Sequence, residues 1–322
     1  MLVRALVLLF AMFLCAEHTA AQEADYPNRP ITIIVPYPPG GAIDVLTRAL
    51  GDKLRTQIGQ PAVVENRPGA TGGIGTGAVA RAEPNGYTLL SAPNAPIVLN
   101  PFISKNLPYD PLTLVPIIHV GNAPLVVSVR ADFPANSIQE FIAYAKANAG
   151  KLNYASQGVG GGAHLATLMF QNATGTQMVH IPFGGAAPAL QALVGGQVDL
   201  FIDNISSSLP LHQAGKLKIL AMGSLKRAPE LPNTPTLAEA GLRDLDLSTW
   251  FGMFAPPKTP AAIVTKLNGA INEIIAMPDF RSRVAALHIQ LVGGTPQAFA
   301  DFLAADRSRW QAIIAGANIP AQ

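Results

Sequence analysis

The sequence predicts an α/β protein with two lobes joined by a hinge of two extended crossings. Short β-rich runs alternate with helical segments along most of the chain. A long apolar stretch at 114–129, broken by proline and glycine, interrupts the alternation, and a second extended run follows at 247–254. Two β/α units connected in this way place a cleft at the hinge, and 322 residues are enough to build both.

The first unit begins with a strand at 31–35. It has almost no polar residue, which is typical of a strand covered on both faces of its sheet. The other elements predicted before the first crossing are a helix at 42–57, a strand at 61–65, a glycine-rich loop at 69–77 leading into a helical segment at 78–82, and a strand at 87–90.

The second unit begins with a helix at 137–149, because Ser137 is a suitable N-cap and Glu140 stands at the capping-box position. Strands are then predicted at 152–155, 178–181, 199–202 and 217–222, and helices at 162–173 and 187–194. After the second crossing, helices are predicted at 260–276, 278–287 and 296–315.

These elements divide the chain into two domains. We expect domain 1 to comprise 26–125 and 247–322, and domain 2 to comprise 126–246. In open α/β sheets, ligands bind beyond the carboxyl ends of the strands. The strand-to-helix loops are therefore where function is expected.

Composition limits the function classes. Hydrophobic residues make up 49% of the chain and charged residues 13%, which favours large cores and argues against disorder. The net charge is +2 and the lysines and arginines are scattered. Nothing therefore suggests a field that would hold nucleic acid or an acidic membrane surface.

Residues 1–21 have the pattern of a cleaved export signal: Arg4 supplies a positive charge, 5–14 are apolar, and small residues precede Ala21. About ten apolar residues are too few to cross a bilayer, so an uncleaved anchor is the weaker alternative. Cys15 is the only cysteine, and Leu14 before it does not suit a lipidation signal. We therefore expect a soluble periplasmic chain without disulfides, thiol chemistry, a metal site or a cofactor.

Four strand-to-helix loops are rich in glycine, proline and small polar residues: 36–44, 91–94, 156–164 and 182–188. Glycine allows backbone N–H groups to approach a ligand, and a helix N-terminus carries about half a positive charge. The loops contain no lysine or arginine. Any one of them could serve only as a tight turn, but four together in two lobes favour the binding of a carboxylate by main-chain groups.

Several motifs together identify a family. The sequence has YPNRPI at 26–31, PYPPGGAID at 36–44, VENRPGATGG at 64–73, PNGYTL at 84–89, HL at 164–165, HIPFGGAAPAL at 180–190, GGQVDL at 195–200 and PNTPT at 232–236. These motifs span essentially the whole mature chain. They resemble the Bug family, the extracytoplasmic solute receptors of tripartite tricarboxylate transporters.

The resemblance implies a periplasmic-binding-protein fold of the Venus flytrap, type II-like kind. It implies a small carboxylate ligand (a dicarboxylate, an amino acid or an aromatic acid) and membrane transporter subunits as partners, and we expect a monomer. The ligand-lining residues that it implies are Tyr37, Pro38, Pro39, Gly40, Gly41, Ser91 and Asn94 in domain 1, and Ser156, Ala163, His164, Phe183, Gly184, Gly185 and Ala186 in domain 2. Asp203, just after a strand, would face the cleft and accept a hydrogen bond from the ligand.

Two positions depart from the family pattern. Pro38 follows Tyr37 where alanine or serine usually follows an aromatic residue, and Phe183 stands where tyrosine is common. Loss of a hydroxyl there favours a less polar ligand. Asp44 is predicted either to contact a ligand amine or to complement the first turn of its helix. His164 is likewise either a ligand contact or a packing residue.

The sequence also bears on three other functions. Ser156, His164 and Asp203 could form a catalytic triad on paper, but no Gly-x-Ser-x-Gly elbow, HExxH motif or P-loop occurs. The spacings at 73–77 and 158–163 resemble a dinucleotide fingerprint only loosely. A sensor that presents its closed form to a signalling receptor is the alternative to transport, and neighbouring genes for transporter subunits would separate the two.

Overall fold

A computed structural model of the protein describes residues 26–104, 106–243 and 245–316. The predicted signal segment at 1–21, with Cys15, lies outside these residues. No helix in the described ranges has the length and apolar character needed to cross a bilayer.

The strands, in chain order, are β1 (Ile31–Val35), β2 (Ala62–Asn66), β3 (Thr88–Pro93), β4 (Val115–Ala123), β5 (Leu125–Arg130), β6 (Asn153–Ser156), β7 (Val179–Pro182), β8 (Leu200–Asn204), β9 (Leu217–Met222), β10 (Thr249–Ala255) and β11 (Gln290–Leu291). The α-helices are α1 (Ala42–Ile58), α2 (Gly73–Ala80), α3 (Asn100–Ile103), α4 (Ile138–Ala147), α5 (Gly162–Thr174), α6 (Ala186–Val194), α7 (Ile205–Gln213), α8 (Ala261–Ala276), α9 (Pro278–Val284) and α10 (Pro296–Gly316).

The strands form two mixed sheets. The first, in the order β11-β4-β10-β3-β1-β2, is the sheet of the first lobe, and the second, in the order β7-β6-β8-β5-β9, is that of the second lobe. In each sheet, three strands that precede helices are parallel to one another: β1 with β2 and β3, and β6 with β7 and β8. Strands β10 and β5 run antiparallel to their neighbours. The predicted two-lobed α/β fold is confirmed.

The hinge lies where the chain passes between the sheets. Pro124 alone separates β4 from β5. On the return, Gly223 N–H donates to the Leu125 carbonyl at 2.7 Å, and Leu247 N–H donates to the Gly223 carbonyl at 2.8 Å. A β-carbon on Gly223 would lie 2.9 Å from Leu125 O, so only glycine allows the crossings to approach this closely.

The apolar core runs through both lobes. One cluster joins Ile97 and Phe254 of the first lobe to Phe141 and Met169 of the second, so the lobes share packed side chains beside the hinge. Two further clusters lie one in each lobe. Trp250, at the start of β10, is buried, and its Nε1 donates to Asp306 Oδ2 at 2.8 Å.

The secondary structure differs from the expectation at several places, of which three bear on the packing of the lobes. Helix α2 begins at Gly73 rather than at 78, because its glycines, which weaken a helix in isolation, allow close packing. A β-carbon on Gly75 would lie 2.8 Å from Arg67 O and 2.9 Å from Pro36 Cβ. The pattern also missed helix α7, which contains Pro210, and the helical segment from Ala95 to Ile103.

Candidate functional site

The carboxyl edges of the two sheets face each other. Because β1, β2 and β3 are parallel, they end at one edge of the first sheet, and β6, β7 and β8 end at one edge of the second. Thr71, just beyond β2, donates its hydroxyl hydrogen to the carbonyl of Val159, just beyond β6, at 3.2 Å. The cleft between the lobes is therefore lined by the loops in which ligands of open α/β sheets bind.

Four helices begin at these edges without a side-chain cap. The N-cap residues of α1, α5, α6 and α7 are Gly41, Gly161, Gly185 and Asn204, and none of them accepts a backbone hydrogen bond with its side chain. The first backbone N–H groups of a helix have no partner within the helix. At the start of α7, Ile205 N–H donates to the Pro124 carbonyl at 3.2 Å. The starts of α1, α5 and α6, which come from both lobes, are available to an anionic group.

The first loop presents its backbone to solvent. Pro38, Pro39, Gly40 and Gly41 are exposed, and a β-carbon on either glycine would meet no atom within 4 Å. Tyr37 is half-buried, and its hydroxyl donates to the Thr71 carbonyl at 3.4 Å. The predicted binding stretch is thus open on one side and anchored by its tyrosine on the other.

Asp44 is buried and bonded within its own lobe. One oxygen accepts hydrogen bonds from Gly40 N–H at 2.9 Å and Arg48 Nε at 3.1 Å, and the other accepts from Asn66 Nδ2 at 2.9 Å. Burial alone would raise the pKa of this carboxyl, but these hydrogen bonds and the Arg48 charge hold it below its usual value. These contacts fix the first loop to α1 and β2, as the structural alternative predicts, and contact with a ligand amine stays the other prediction for Asp44.

The second predicted loop, at 91–94, begins later in the structure than expected. The chain does not leave the sheet at 91, because β3 continues to Pro93. Ser91 is buried within the strand, and its hydroxyl lies 2.7 Å from the Thr47 hydroxyl. Asn94 begins the next segment, and its Oδ1 accepts from Thr249 Oγ1 at 3.0 Å. Of the two residues predicted to line the cleft here, Ser91 is therefore a buried strand residue, and Asn94 lies at the end of the strand.

The third loop is held by two stacked imidazole rings. His164 Nδ1 accepts the Gly160 N–H at 2.9 Å, and its ring stacks on His180 with centroids 4.0 Å apart. His180 Nε2 lies 2.6 Å from the Ser156 hydroxyl. Burial, followed by the charge that His180 would carry, lowers the pKa of His164 to about 4, and burial also lowers the pKa of His180. Burial therefore favours the neutral form of both rings.

The remaining loop residues of the second lobe lie around the start of α6. Phe183 is half-buried, and its N–H donates to the Ser156 carbonyl at 2.9 Å, which joins the third and fourth loops. A β-carbon on Gly184 or Gly185 would meet no atom within 4 Å. Ala186 is the first residue of α6, and Ala163 is a buried residue in the first turn of α5.

Asp203 was expected after its strand, but it lies within β8 and is completely buried. Its Oδ1 accepts a hydrogen bond from Gln157 Nε2 at 2.5 Å. Burial raises the pKa of Asp203 to about 7, and hydrogen bonds from Asn204, Ser207 and Gln157 offset only part of the effect. Contact with a ligand stays a prediction for this residue and for the others.

The catalytic triad considered from the sequence is not assembled. Ser156 is hydrogen bonded to His180 and Gly158, His164 to Gly160, and Asp203 to Gln157. A triad requires a continuous chain of hydrogen bonds from nucleophile to base to carboxylate. These three side chains belong instead to separate contacts that shape the loops.

Sequence reasoning missed several residues that shape the cleft, namely Asn66, Thr71, Gln157 and His180. Asn66 is the last residue of the parallel strand β2, and Gln157 directly follows the parallel strand β6. Residues at the carboxyl ends of such strands are the expected ligand contacts of open α/β sheets. Thr71 has φ +49°, a left-handed conformation that no pattern of hydrophobicity reports. His180 lies in β7, where the alternation of side chains places it against the buried ring of His164.

A further cavity, of about 470 Å³, lies apart from these loops, between α10 and the residues at 224–226 and 246–250. Its wall includes Asn122, Lys226, Trp250, Asp306 and Arg309. The Asp306 carboxylate is bonded both to Trp250 and, at 2.8 Å, to Arg309 Nη2, so these polar groups are already paired. No predicted site residue lines this cavity.

The comparisons with known proteins agree with this architecture. The family model described as "Tripartite tricarboxylate transporter family receptor" matches residues 46–319. Protein BugT of Bordetella pertussis is 38% identical over 313 residues, which cover 96% of each chain. A Pseudomonas sp. strain P51 protein from the tcbD-tcbE intergenic region is 38% identical over 307 residues, covering 94% of this chain and 91% of the relative.

Solved structures of similar proteins share the fold. R. palustris Rpa4515 with adipate is 33% identical with a TM-score of 0.87, covering 92% of this chain and 99% of the other. MatC from Rhodopseudomonas palustris with bound malate is 31% identical with a TM-score of 0.82, covering 90% and 100%. The periplasmic binding protein BugD is 36% identical with a TM-score of 0.84, covering 92% and 100%. The chain therefore belongs to the receptor family of the tripartite tricarboxylate transporters, a family of periplasmic solute-binding proteins.

Proposed function

We propose that this protein is a periplasmic receptor that captures a small carboxylate between its two lobes and delivers it to membrane transporter subunits. The observation that carries the proposal is that α1, α5 and α6 begin without side-chain caps at the facing edges of the two sheets. Two similar proteins hold adipate and malate, which are both dicarboxylates. Carboxylate oxygens are suitable acceptors for such main-chain donors.

The absence of a free cation in the four loops supports a mechanism based on main-chain donors. None of the loops contains lysine or arginine, and Arg48, one helical turn beyond the first loop, is paired with Asp44 at 3.0 Å. A carboxylate is then stabilised by helix dipoles and backbone N–H groups in a cleft that closes over it. Such a site recognises the carboxylate group, while the pocket behind it discriminates between acids.

Closure follows from differential affinity. A ligand that contacts both lobes stabilises the closed form over the open form by the contacts that exist only when the lobes meet. The hydrogen bond from Thr71 to Val159 is a direct contact between the two lobes and does not involve the ligand. The membrane subunits would then recognise surfaces of the closed form, which separates a loaded receptor from an empty one.

The direct test is a thermal-shift screen of the mature protein with adipate, malate, amino acids and aromatic acids, with a neutral sugar as control. A ligand that binds only the native state stabilises it by RT ln(1 + [L]/Kd), or about 2.7 kcal/mol at a hundredfold excess over Kd. We expect at least one carboxylate to raise the Tm and to bind in calorimetry. A screen in which the sugar shifts the transition and no carboxylate does so would refute the ligand class.

Delivery and export need separate tests. We expect uptake of the bound acid by membrane vesicles that contain the cognate small and large transporter subunits, and only when the receptor is added. We also expect the mature protein in the periplasmic fraction, with a mature N-terminus near residue 22. Uptake that does not depend on the receptor would favour the sensing role over transport.

A further inference from the structure

We propose that His164 is a positioning residue whose unprotonated Nδ1 holds the loop at 157–161 in the shape that meets the opposite lobe. In this role His164 does not contact the ligand. The consequence for binding rests on the proposed function, whereas the effect on the loop can be measured without any ligand.

The contact that carries the inference is short and buried. The Gly160 N–H points at His164 Nδ1 at 2.9 Å, and His164 is 8% exposed. An imidazole nitrogen accepts a hydrogen bond only when it bears no proton. The geometry therefore assigns the ring proton of His164 to Nε2. Protonation of Nδ1 would remove the hydrogen bond and place the Nδ1–H against the Gly160 N–H, so that the two groups repel each other.

The residues on both sides of this amide contact the first lobe. The Val159 carbonyl accepts the hydrogen bond from Thr71, and a β-carbon on Gly160 would lie 2.1 Å from Ile103 Cδ1. A β-carbon on Gly161 would lie 4.0 Å from Thr71 Cγ2. Three consecutive residues of the second lobe thus meet the first lobe, and the central one is held by His164.

The surroundings of His164 disfavour a charge. His180 stacks on one side of it, and Tyr154 stacks on His180 with centroids 4.9 Å apart. The titratable group on the neighbouring strand β8 is Asp203, whose Oδ1 accepts a hydrogen bond from Gln157 of the same loop. Helix α5 and the segment from Ala95 to Ile103, which ends against Gly160, contain no Asp, Glu, Lys or Arg. In the described residues, no carboxylate is hydrogen bonded to either imidazole ring.

The experiment compares His164→Asn with His164→Leu. Asparagine places Oδ1 at the same distance along the side chain as Nδ1 and can accept the Gly160 N–H, whereas leucine fills the space without an acceptor. His212→Asn, which alters a histidine at the end of α7 whose contacts with Leu217 and Ile219 stay within the second lobe, is the matched control. The readouts are hydrogen-exchange protection of the Gly160 amide without ligand, and the Kd for adipate or malate by calorimetry.

We expect His164→Leu to lower both the protection of Gly160 and the affinity about tenfold, the loss of one buried hydrogen bond. His164→Asn should keep both within about threefold of the wild type, like the control. Wild-type protection should fall as the pH drops through about 4, while His164→Asn should keep its protection. Because His164→Leu could fail to fold, the ¹⁵N shift of the wild-type Nδ1 is also measured, and it should report an unprotonated nitrogen.

Three results would overturn the inference: unchanged protection of Gly160 in His164→Leu, an equal loss in His164→Asn, or a proton on Nδ1 at pH 7. A wild-type protein that binds no carboxylate while Gly160 behaves as expected would refute the proposed function and support the assignment of the loop contact. Failure of the two ideas is therefore distinguishable.

Discussion

Gly160 lies directly against Ile103, so a residue with a side chain at position 160 would force the end of the Ile103 side chain to move. A β-carbon on Gly160 would lie 2.1 Å from Ile103 Cδ1. The backbone of Gly160 has φ +73°, a conformation that residues with a side chain rarely adopt. Gly160 belongs to the loop after β6, and Ile103 ends α3 of the first lobe. The pair therefore couples the conformation of one loop to the closure of the cleft.

Gly160→Ala should weaken ligand binding more than it destabilises the protein. The methyl group would push Ile103 away and hold the lobes apart, so we expect an affinity loss of about tenfold or more with a modest fall in Tm. Small-angle scattering with saturating ligand should show a larger radius of gyration than the wild type. The double variant Gly160→Ala/Ile103→Ala should recover part of the affinity, and no recovery would place the effect in the backbone of the loop.

Gly41→Val should affect binding with little effect on folding. Its β-carbon would meet no atom within 4 Å, and Gly41 has φ −75°, which valine adopts readily. A side chain there would occupy the space through which a carboxylate approaches the start of α1, so we expect an affinity loss of at least about tenfold. Gly269→Val, at an open exposed position in α8, is the control for chain stiffening. Equal affinities by calorimetry would exclude this loop from the site.

Asp203→Asn should stabilise the protein at neutral and alkaline pH. The folded-state pKa of about 7 lies above the usual value of 3.8, so the folded state binds the proton more tightly than the unfolded state. The contribution of Asp203 to stability is therefore complete below about pH 4 and is lost as the pH rises through 7.

Asparagine removes this titration while leaving an oxygen to accept from Gln157. Unfolding in urea at pH 8 should show a gain of roughly 1–3 kcal/mol over the wild type, with little gain at pH 4. A gain that is the same at both pH values would show that Asp203 does not titrate in this range.

His164 should impose the opposite pH dependence in the same range. Its pKa is lowered from 6.5 to about 4, so the unfolded state takes up a proton that the folded state refuses. The stability that depends on His164 is complete above about pH 6.5 and falls as the pH decreases towards 4. Comparison of His164→Asn with the wild type in urea at pH 7 and pH 4.5 isolates the effect, because Asp203 is present in both. The variant should lose less stability on acidification, and parallel losses would contradict this.

Asp44→Ala should loosen the first loop. The carboxylate holds Gly40 N–H, Asn66 and Arg48, and its removal leaves two part-buried donors and a half-exposed cation without their acceptor. Leaving such donors unpaired costs about 1–3 kcal/mol of unfolding free energy. Denaturant unfolding at pH 7 checks this, with Asp52→Ala on the exposed face of the same helix as control. A cost below that of the control would show that the other contacts of the loop suffice.

The fold and the positions of the binding loops followed from the sequence because they depend on local patterns. Strand β1 is apolar except for Thr32, and α4 carries its cap at Ser137, whose Oγ accepts the Glu140 N–H at 3.2 Å. Glycines at 40–41, 160–162 and 184–185 marked the ends of parallel strands correctly, since the chain must turn there into a helix.

The partners of the polar side chains depended on contacts between residues distant in the chain. The pairing of Ser156 with His180 across 24 residues arises from the parallel register of β6 and β7, and that of Asp44 with Asn66 across 22 residues arises from the packing of α1 beside β2. No local periodicity encodes either contact. Helix α2 likewise packs closely against the Arg67 backbone at Gly75, where there is no room for a side chain. Local propensity thus specifies which elements form, whereas only the packing of those elements decides which polar groups remain free to bind a ligand.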